Sequence, residues 1–365
     1  MPAARPIAVV LGTRPEIVKL AGIVALLGDR ARVVHTGQHY DAALSDVFFA
    51  EFDLAVPLEV LDVGGRRRGA QIGEATARLD ALFAAEPPAA VVVQGDTNSA
   101  LAGALAANAG GLPLVHVEAG LRSHDRAMPE EHNRVVVDHL ADRCLAPTET
   151  SRSNLRAEAI ADERIVITGN TVVEAVQTLL PDAAGRAALL HGRGLTRGGF
   201  VLATFHRPEN VDDRGTLVAI LEQLVALPLP VVLAVHPRLA ARIEAFDLGD
   251  LTAALRTTPP LGYREFLGLF AEAACAVSDS GGVQEEASVV KRPVIVVRRS
   301  TERPEVLGSF AELVAAGPAV GDAVRPQIRD PAATHRRLAD LASPYGDGSA
   351  SVRSVAALDA LLAAK

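Results

Sequence analysis

Runs of aliphatic, β-branched residues alternate with helix-spaced segments through the first half of this 365-residue chain, and the pattern then restarts. Ile7–Leu11, Arg32–Thr36, Ala90–Gln94, Leu114–Glu118, Arg143–Ala146 and Ile165–Thr168 read as strands. Most are apolar along their length rather than at alternate positions, which marks strands covered on both faces. Between them, Glu16–Leu27, Gln71–Phe83 and Asn98–Ala109 carry apolar residues at helical spacing. A second set of strands follows at Phe200–Phe205, Val231–Val235, Ala254–Thr257, Ala274–Ser278 and Val294–Val297. Strand–helix alternation predicts a parallel sheet, and its restart predicts two. The break falls near 170–198, where a helix at Val172–Leu180 gives way to PDAAGR and HGRGLTRGG. The expected fold is therefore α/β, with two Rossmann-like, doubly wound parallel-sheet domains facing a cleft. The domains are expected at 1–175 and 176–348, with the amphipathic terminal helix, 349–365, joining the first.

Composition narrows the function. Hydrophobic residues at 49% and charged residues at 22% fit a packed globular chain rather than a disordered one. A net charge of −8 argues against a nucleic-acid partner, which selects a basic face. The longest apolar stretch, Leu224–Val235, is interrupted by Pro228 and Pro230, so no membrane span is expected. Cys144 and Cys275 lie in predicted strands, as buried thiols of a reducing, cytoplasmic compartment would. The chain contains no CxxC or HExxH, so no metal site is expected. It also lacks GxxxxGK[ST] and a post-strand GxGxxG, so neither a P-loop nor a nicotinamide cofactor is expected. Only three lysines occur, Lys19, Lys291 and Lys365, among 36 basic residues. That bias makes each arginine weak evidence of function and an internal lysine more informative.

The chemistry-bearing residues follow predicted strands, where a doubly wound sheet binds ligands. Arg14 and Lys19 flank the start of a helix whose free N–H groups suit an anion. The alternative is a turn with two solvated cations. Asp96 ends an apolar run and could instead be a helix N-cap. Glu118 ends another run, where burial requires a partner such as Arg122 or Arg134. Glu130 and Glu131 open a helix, and one of them suffices for helix-dipole chemistry. Three carboxylates, Asp96, Glu118 and Glu130, suit general acid/base work when crowding tunes their pKa values. The second half offers His206, a Ser280-Gly281-Gly282 turn fit for phosphate, Glu286 within reach of a ribose, and Arg303, which could grip a diphosphate bidentately. Together these features describe a nucleotide-sugar enzyme.

The motifs GTRPEIVK, TGQHYD, QGDTNS, HVEAGLRS, MPEEHNR, GNTVVEAV, HRPEN, DSGGVQEEA, STERPE and SPYGDG occur in this order. In that series the chain resembles the non-hydrolysing UDP-N-acetylglucosamine 2-epimerases, over about residues 7 to 350. The resemblance implies a GT-B-type pair of domains, a homodimer, UDP-N-acetylglucosamine and UDP as ligands, and no metal or nicotinamide. It implies catalytic or substrate-contact roles for Arg14, Lys19, Asp96, Glu118, Glu130 and His206. It implies UDP contacts for Ser280, Gly281, Gly282, Glu286 and Arg303, and a uracil contact for Phe266. The implied reaction is reversible C2 epimerisation to UDP-N-acetylmannosamine through elimination of UDP to a 2-acetamidoglucal. RPEIVK stands where hydrolysing relatives carry an RADFGK-like element, which argues against release of the free sugar. Some bacterial members bind a second UDP-N-acetylglucosamine as activator near the QH motif; Asp41 is shorter than the residue expected there and argues against that regulation. A modified UDP-N-acetylhexosamine substrate and a GT-B glycosyltransferase activity are the alternatives.

Overall fold

The structure, a computed structural model, describes residues 5–38 and 58–364. It divides into two compact units: residues 1–175 with 345–365, and residues 176–344. The first is built on a seven-stranded sheet of order β3-β2-β1-β4-β5-β6-β7. Its strands are β1 (Ile7–Leu11), β2 (Ala31–His35), β3 (Leu58–Val60), β4 (Ala90–Gln94), β5 (Leu114–Val117), β6 (Arg143–Ala146) and β7 (Ile165–Ile167). Every pairing is parallel. Its helices are α1 (Arg14–Leu27), α2 (Arg68–Ala85), α3 (Asn98–Ala109), α4 (Pro129–Leu140) and α5 (Glu149–Ala157), and α6 (Val172–Leu179) spans the boundary at residue 175.

Sequence explains how α3 sits. It is rich in Ala, with Ala100, Ala102, Ala104, Ala106 and Ala107 all buried. A Cβ on Gly103 would meet Val93 at 2.8 Å and Val10 at 3.2 Å. The helix backbone therefore lies directly on the sheet, and a helix buried on so many sides needs no polar face. Val10, Val34, Val91, Val93, Leu79 and Phe83 form the core beneath α2 and α3.

The second unit has a six-stranded sheet of order β10-β9-β8-β11-β12-β13, again all parallel. Its strands are β8 (Val201–Thr204), β9 (Val231–Ala234), β10 (Arg256–Thr258), β11 (Cys275–Ser278), β12 (Val294–Val297) and β13 (Ala311–Val314). Its helices are α7 (Ala183–Gly192), α8 (Pro208–Val211), α9 (Arg214–Val225), α10 (Pro237–Ala245), α11 (Gly249–Ala253), α12 (Tyr263–Glu272), α13 (Gly281–Val290), α14 (Pro318–Arg329) and α15 (Pro331–Ala339). The terminal helix α16 (Ala350–Ala363) belongs to the first unit. It packs on α1, and Ser351 N–H donates to Glu174 at 2.8 Å.

The two-sheet α/β expectation holds. Both sheets reverse strand order next to their first strand, between β1 and β4 and between β8 and β11. Those are the topological switch points where open α/β sheets bind ligands. Two strands went unpredicted. β3 is three residues long, and β13 carries Glu312 inside AELV, which breaks the apolar run. Among the described residues, no helix is long and apolar enough to cross a membrane.

Candidate active site

In the first unit the loops after β1, β4 and β5 carry the predicted residues. Thr13 and Arg14 start α1, and Pro15 suits its first turn. Lys19, one turn further and buried, donates Nζ to Glu118 Oε2. Gln94 Nε2, at the end of β4, donates to the same oxygen at 3.0 Å, and Asn170 Nδ2 does so at 3.4 Å. The expected partners of Glu118, Arg122 and Arg134, are engaged elsewhere. Arg122 binds Asp138 and Glu158, and Arg134 binds Asp96 and Glu131. Glu118 also ends its strand differently from the sequence expectation. It has φ +67°, in the left-handed region that a non-glycine residue seldom adopts. Backbone strain of this kind concentrates where a side chain must be aimed for function.

Asp96 is not the N-cap of α3. Thr97 is, accepting from Ala100 N–H at 3.0 Å. The Asp96 carboxylate is left partly exposed and held by Arg134 Nη2, while Asn133 Nδ2 donates to the Asp96 carbonyl at 2.8 Å. The second turn of α4 thus holds Asp96 from two consecutive residues. Glu130 and Glu131 differ in their surroundings. Glu131 accepts from the N–H groups of Ser123 and His124 and from Arg134. Burial opposes its charge, but those donors hold its carboxyl below the usual range. Glu130 is half-buried and takes part in none of these bonds.

Sequence reasoning passed over Glu16. It is fully buried, with Oε2 accepting from Gly12 N–H at 3.0 Å and Oε1 from the Thr97 hydroxyl at 2.7 Å. It therefore ties the β1–α1 turn to the β4–α3 turn that carries Asp96. Burial pushes its carboxyl up to about 7, against the pull of those hydrogen bonds. Its place three residues into a helix, as in a capping box, was the available signal.

In the second unit, His206 follows β8 and Ser280-Gly281-Gly282 follows β11, on either side of the switch point. Asp279, buried between them, accepts from the N–H groups of His206 and Arg207 and from Asn210 Nδ2. His206 Nδ1 lies 3.0 Å from Asp279, which fixes the ring and directs Nε2 away from the carboxylate. The ring stands 5.4 Å from that of His236. Burial opposes ionisation of Asp279, yet His206 and its other donors hold it below the usual carboxylate range. Its role as the residue that orients His206 was not read from DSGG.

Ser280 is the N-cap of α13, with its side chain free of a capping bond. A Cβ on Gly281 would meet Arg303 Nη1 at 2.7 Å, so glycine permits that approach. A Cβ on Gly282 would meet Glu286 no closer than 3.6 Å. Arg303, expected at the diphosphate, has internal partners. It is buried, with Nε donating to Glu285 at 2.7 Å and Nη1 to Glu302. Phe266, on α12, is half-buried, its ring 6.0 Å from that of Phe270. In the same helix the Tyr263 hydroxyl is pushed well up by burial and by Glu286. Gln38 accepts from Ser99 N–H and Oγ, both at 2.9 Å, whereas Asp41 lies outside the described residues.

The family model for UDP-N-acetylglucosamine 2-epimerase matches residues 28–359. The UDP-N-acetylglucosamine 2-epimerase of Methanocaldococcus jannaschii is 36% identical over 361 residues, covering 96% of this chain and 97% of its own. The UDP-2,3-diacetamido-2,3-dideoxy-D-glucuronate 2-epimerase of Pseudomonas aeruginosa is 34% identical, covering 94% and 96%. The crystal structure of the M. jannaschii UDP-GlcNAc 2-epimerase with UDP-GlcNAc and UDP superposes with a TM-score of 0.88, over 97% of this chain and 99% of that one.

Proposed function

The chain belongs to the UDP-N-acetylglucosamine 2-epimerase family, and from that premise we propose that it interconverts UDP-N-acetylglucosamine and UDP-N-acetylmannosamine by elimination and re-addition of UDP. It is an isomerase. The observation that carries the reading is the set of side chains on successive strand ends of the first sheet. Lys19 after β1, Asp96 after β4 and Glu118 after β5 gather beside a topological switch point, with Lys19 on Glu118.

The C2 proton of the sugar is too weakly acidic for simple abstraction. In the proposed route a carboxylate takes that proton as the C1–O bond breaks. UDP leaves with the bonding electron pair, and a C1=C2 double bond remains. The UDP oxygen then re-adds to C1 while a proton returns to C2 from the opposite face. One face needs a base and the other an acid, so two of Asp96, Glu118 and Glu130 share the work. Negative charge develops on the leaving diphosphate. His206, oriented by Asp279, and the N–H groups at the start of α13 suit it. Glu286 suits the ribose and Phe266 the uracil. Arg14 and Lys19 add positive charge on the sugar side. Arg303, tied to Glu285 of α13 and to Glu302, adds positive charge beside the nucleotide site.

Oxygen-18 placed in the bridge between C1 and the β-phosphorus tests the elimination. If the C1–O bond breaks, the freed phosphate rotates and the label scrambles into non-bridging positions. Epimerisation without scrambling would sink the route. The P. aeruginosa relative favours one second reading, a 2,3-diacetamido uronate as substrate. Comparing turnover of the two nucleotide sugars separates them. Both cysteines are free and buried, in keeping with a cytoplasmic enzyme. A homodimer is the assembly we propose, measurable by light scattering.

A further inference from the structure

Behind the proposed catalytic loops lies a buried charge cluster that the reaction does not use directly. His116, in the middle of β5, is fully buried. Its Nδ1 lies 2.6 Å from Asp138 Oδ1, and its Nε2 lies 2.9 Å from the carbonyl oxygen of Gly95. A carbonyl oxygen only accepts, so Nε2 must donate. An ionised carboxylate also only accepts, so Nδ1 must donate as well. A neutral imidazole has one N–H, and both bonds together require the imidazolium.

The surroundings keep Asp138 ionised. Its Oδ2 accepts from Arg122 Nη2 at 2.8 Å and from Gly120 N–H at 3.1 Å. Burial alone would raise its pKa, but His116 and Arg122 hold it below the usual range. Arg122 is shared with Glu158, at 2.7 and 2.6 Å. Two cations, His116 and Arg122, thus face two carboxylates, Asp138 and Glu158, and Arg164 Nη2 donates to the Asp138 backbone carbonyl at 3.1 Å. The thiol of Cys144, next to it on β6, is pushed up to about 12 by burial and by the Asp138 charge.

The cluster touches both catalytic turns. His116 grips the carbonyl of Gly95, the residue before Asp96. Asp138 grips the N–H of Gly120, two residues beyond Glu118. Gly95 and Gly120 have φ +68° and +82°, so both turns hold conformations that favour glycine. A Cβ on Gly120 would also meet the Ser151 carbonyl at 2.3 Å. We propose that His116 and Asp138 form an imidazolium–carboxylate clamp that fixes the Asp96 and Glu118 turns relative to each other for proton transfer at the sugar. They are positioning residues, and the inference rests on the function proposed above for those turns.

Two measurements on the full chain test the clamp. The first is nitrogen-15 NMR of the histidine ring at pH ~8, where an ordinary histidine of pKa ~6.5 is neutral. His116 should show protons on both nitrogens, and a single-proton ring overturns the clamp. The second uses His116→Gln, which can still donate to Gly95 but not to Asp138 as well. Its kcat with UDP-N-acetylglucosamine should fall by about 100-fold, the scale of a small misplacement of catalytic groups. UDP affinity, assigned above to residues of the second unit, should stay within about twofold. Unchanged kcat overturns the clamp, as does a parallel loss of UDP affinity. If the wild-type enzyme fails to turn over, the proposed function falls instead, and the ring NMR still judges the clamp.

Discussion

Glu16 shows what burial does to one residue. Its carboxyl sits near 7 in the folded protein and near the ordinary 4.5 in the unfolded chain. Between those values the unfolded chain releases the proton and the folded protein keeps it. Stability therefore falls as pH rises from about 4.5 to about 7, by about 3 kcal/mol, and is flat above that. Denaturant titrations of Glu16→Gln should show that much less loss between pH ~5 and ~8. An unchanged pH dependence would remove Glu16 as its source. Glu118→Gln should keep UDP affinity and lose about 100-fold or more in kcat, the range of general acid/base catalysis. Wild-type turnover in that variant would take Glu118 out of the mechanism. Both Lys19 and Glu118 stood out in the sequence, one as a rare lysine and one as a carboxylate ending an apolar strand. Their bond did not, because 99 residues separate them and only the sheet order brings the helix after β1 near the end of β5. Lys291, the other internal lysine, has a structural explanation. It ends α13 in the left-handed conformation and donates Nζ to the Leu341 carbonyl at 2.6 Å.

At the scale of elements, periodicity read the strands well because a parallel sheet buried on both faces leaves continuous apolar runs. β12 and α3 have the expected bounds, and β5 ends one residue early where Glu118 turns. What escaped were short edge strands and the caps. Thr97 rather than Asp96 caps α3, and both residue types cap well, so spacing alone could not choose. The turn between β11 and α13 depends on Gly281. Gly281→Ala would drive a methyl group into Arg303, and overpacking costs about 1–3 kcal/mol. UDP affinity by calorimetry should drop by about tenfold. Wild-type affinity would show that the packing of Arg303 on α13 does not shape the nucleotide site.

For the whole molecule, the division into units is more entangled in sequence than in space. The chain returns at Tyr345 to complete the first unit with α16. Leu358 and Leu361 are buried in it, and each such side chain is worth about 1.5–3 kcal/mol. Truncation before Ala350 should therefore lower the melting temperature sharply or leave the protein insoluble; an unchanged melting curve would mean the helix adds little. Several carboxylates are spent on fixed cations inside the first unit, as with Asp96 on Arg134, Glu118 on Lys19 and Asp138 on Arg122. The most direct measurement of C2 epimerisation is incubation with UDP-N-acetylglucosamine in D₂O, followed by proton NMR. UDP-N-acetylmannosamine should accumulate, with deuterium at C2 in product and recovered substrate. A substrate that keeps its C2 proton and yields no second epimer would contradict the assignment.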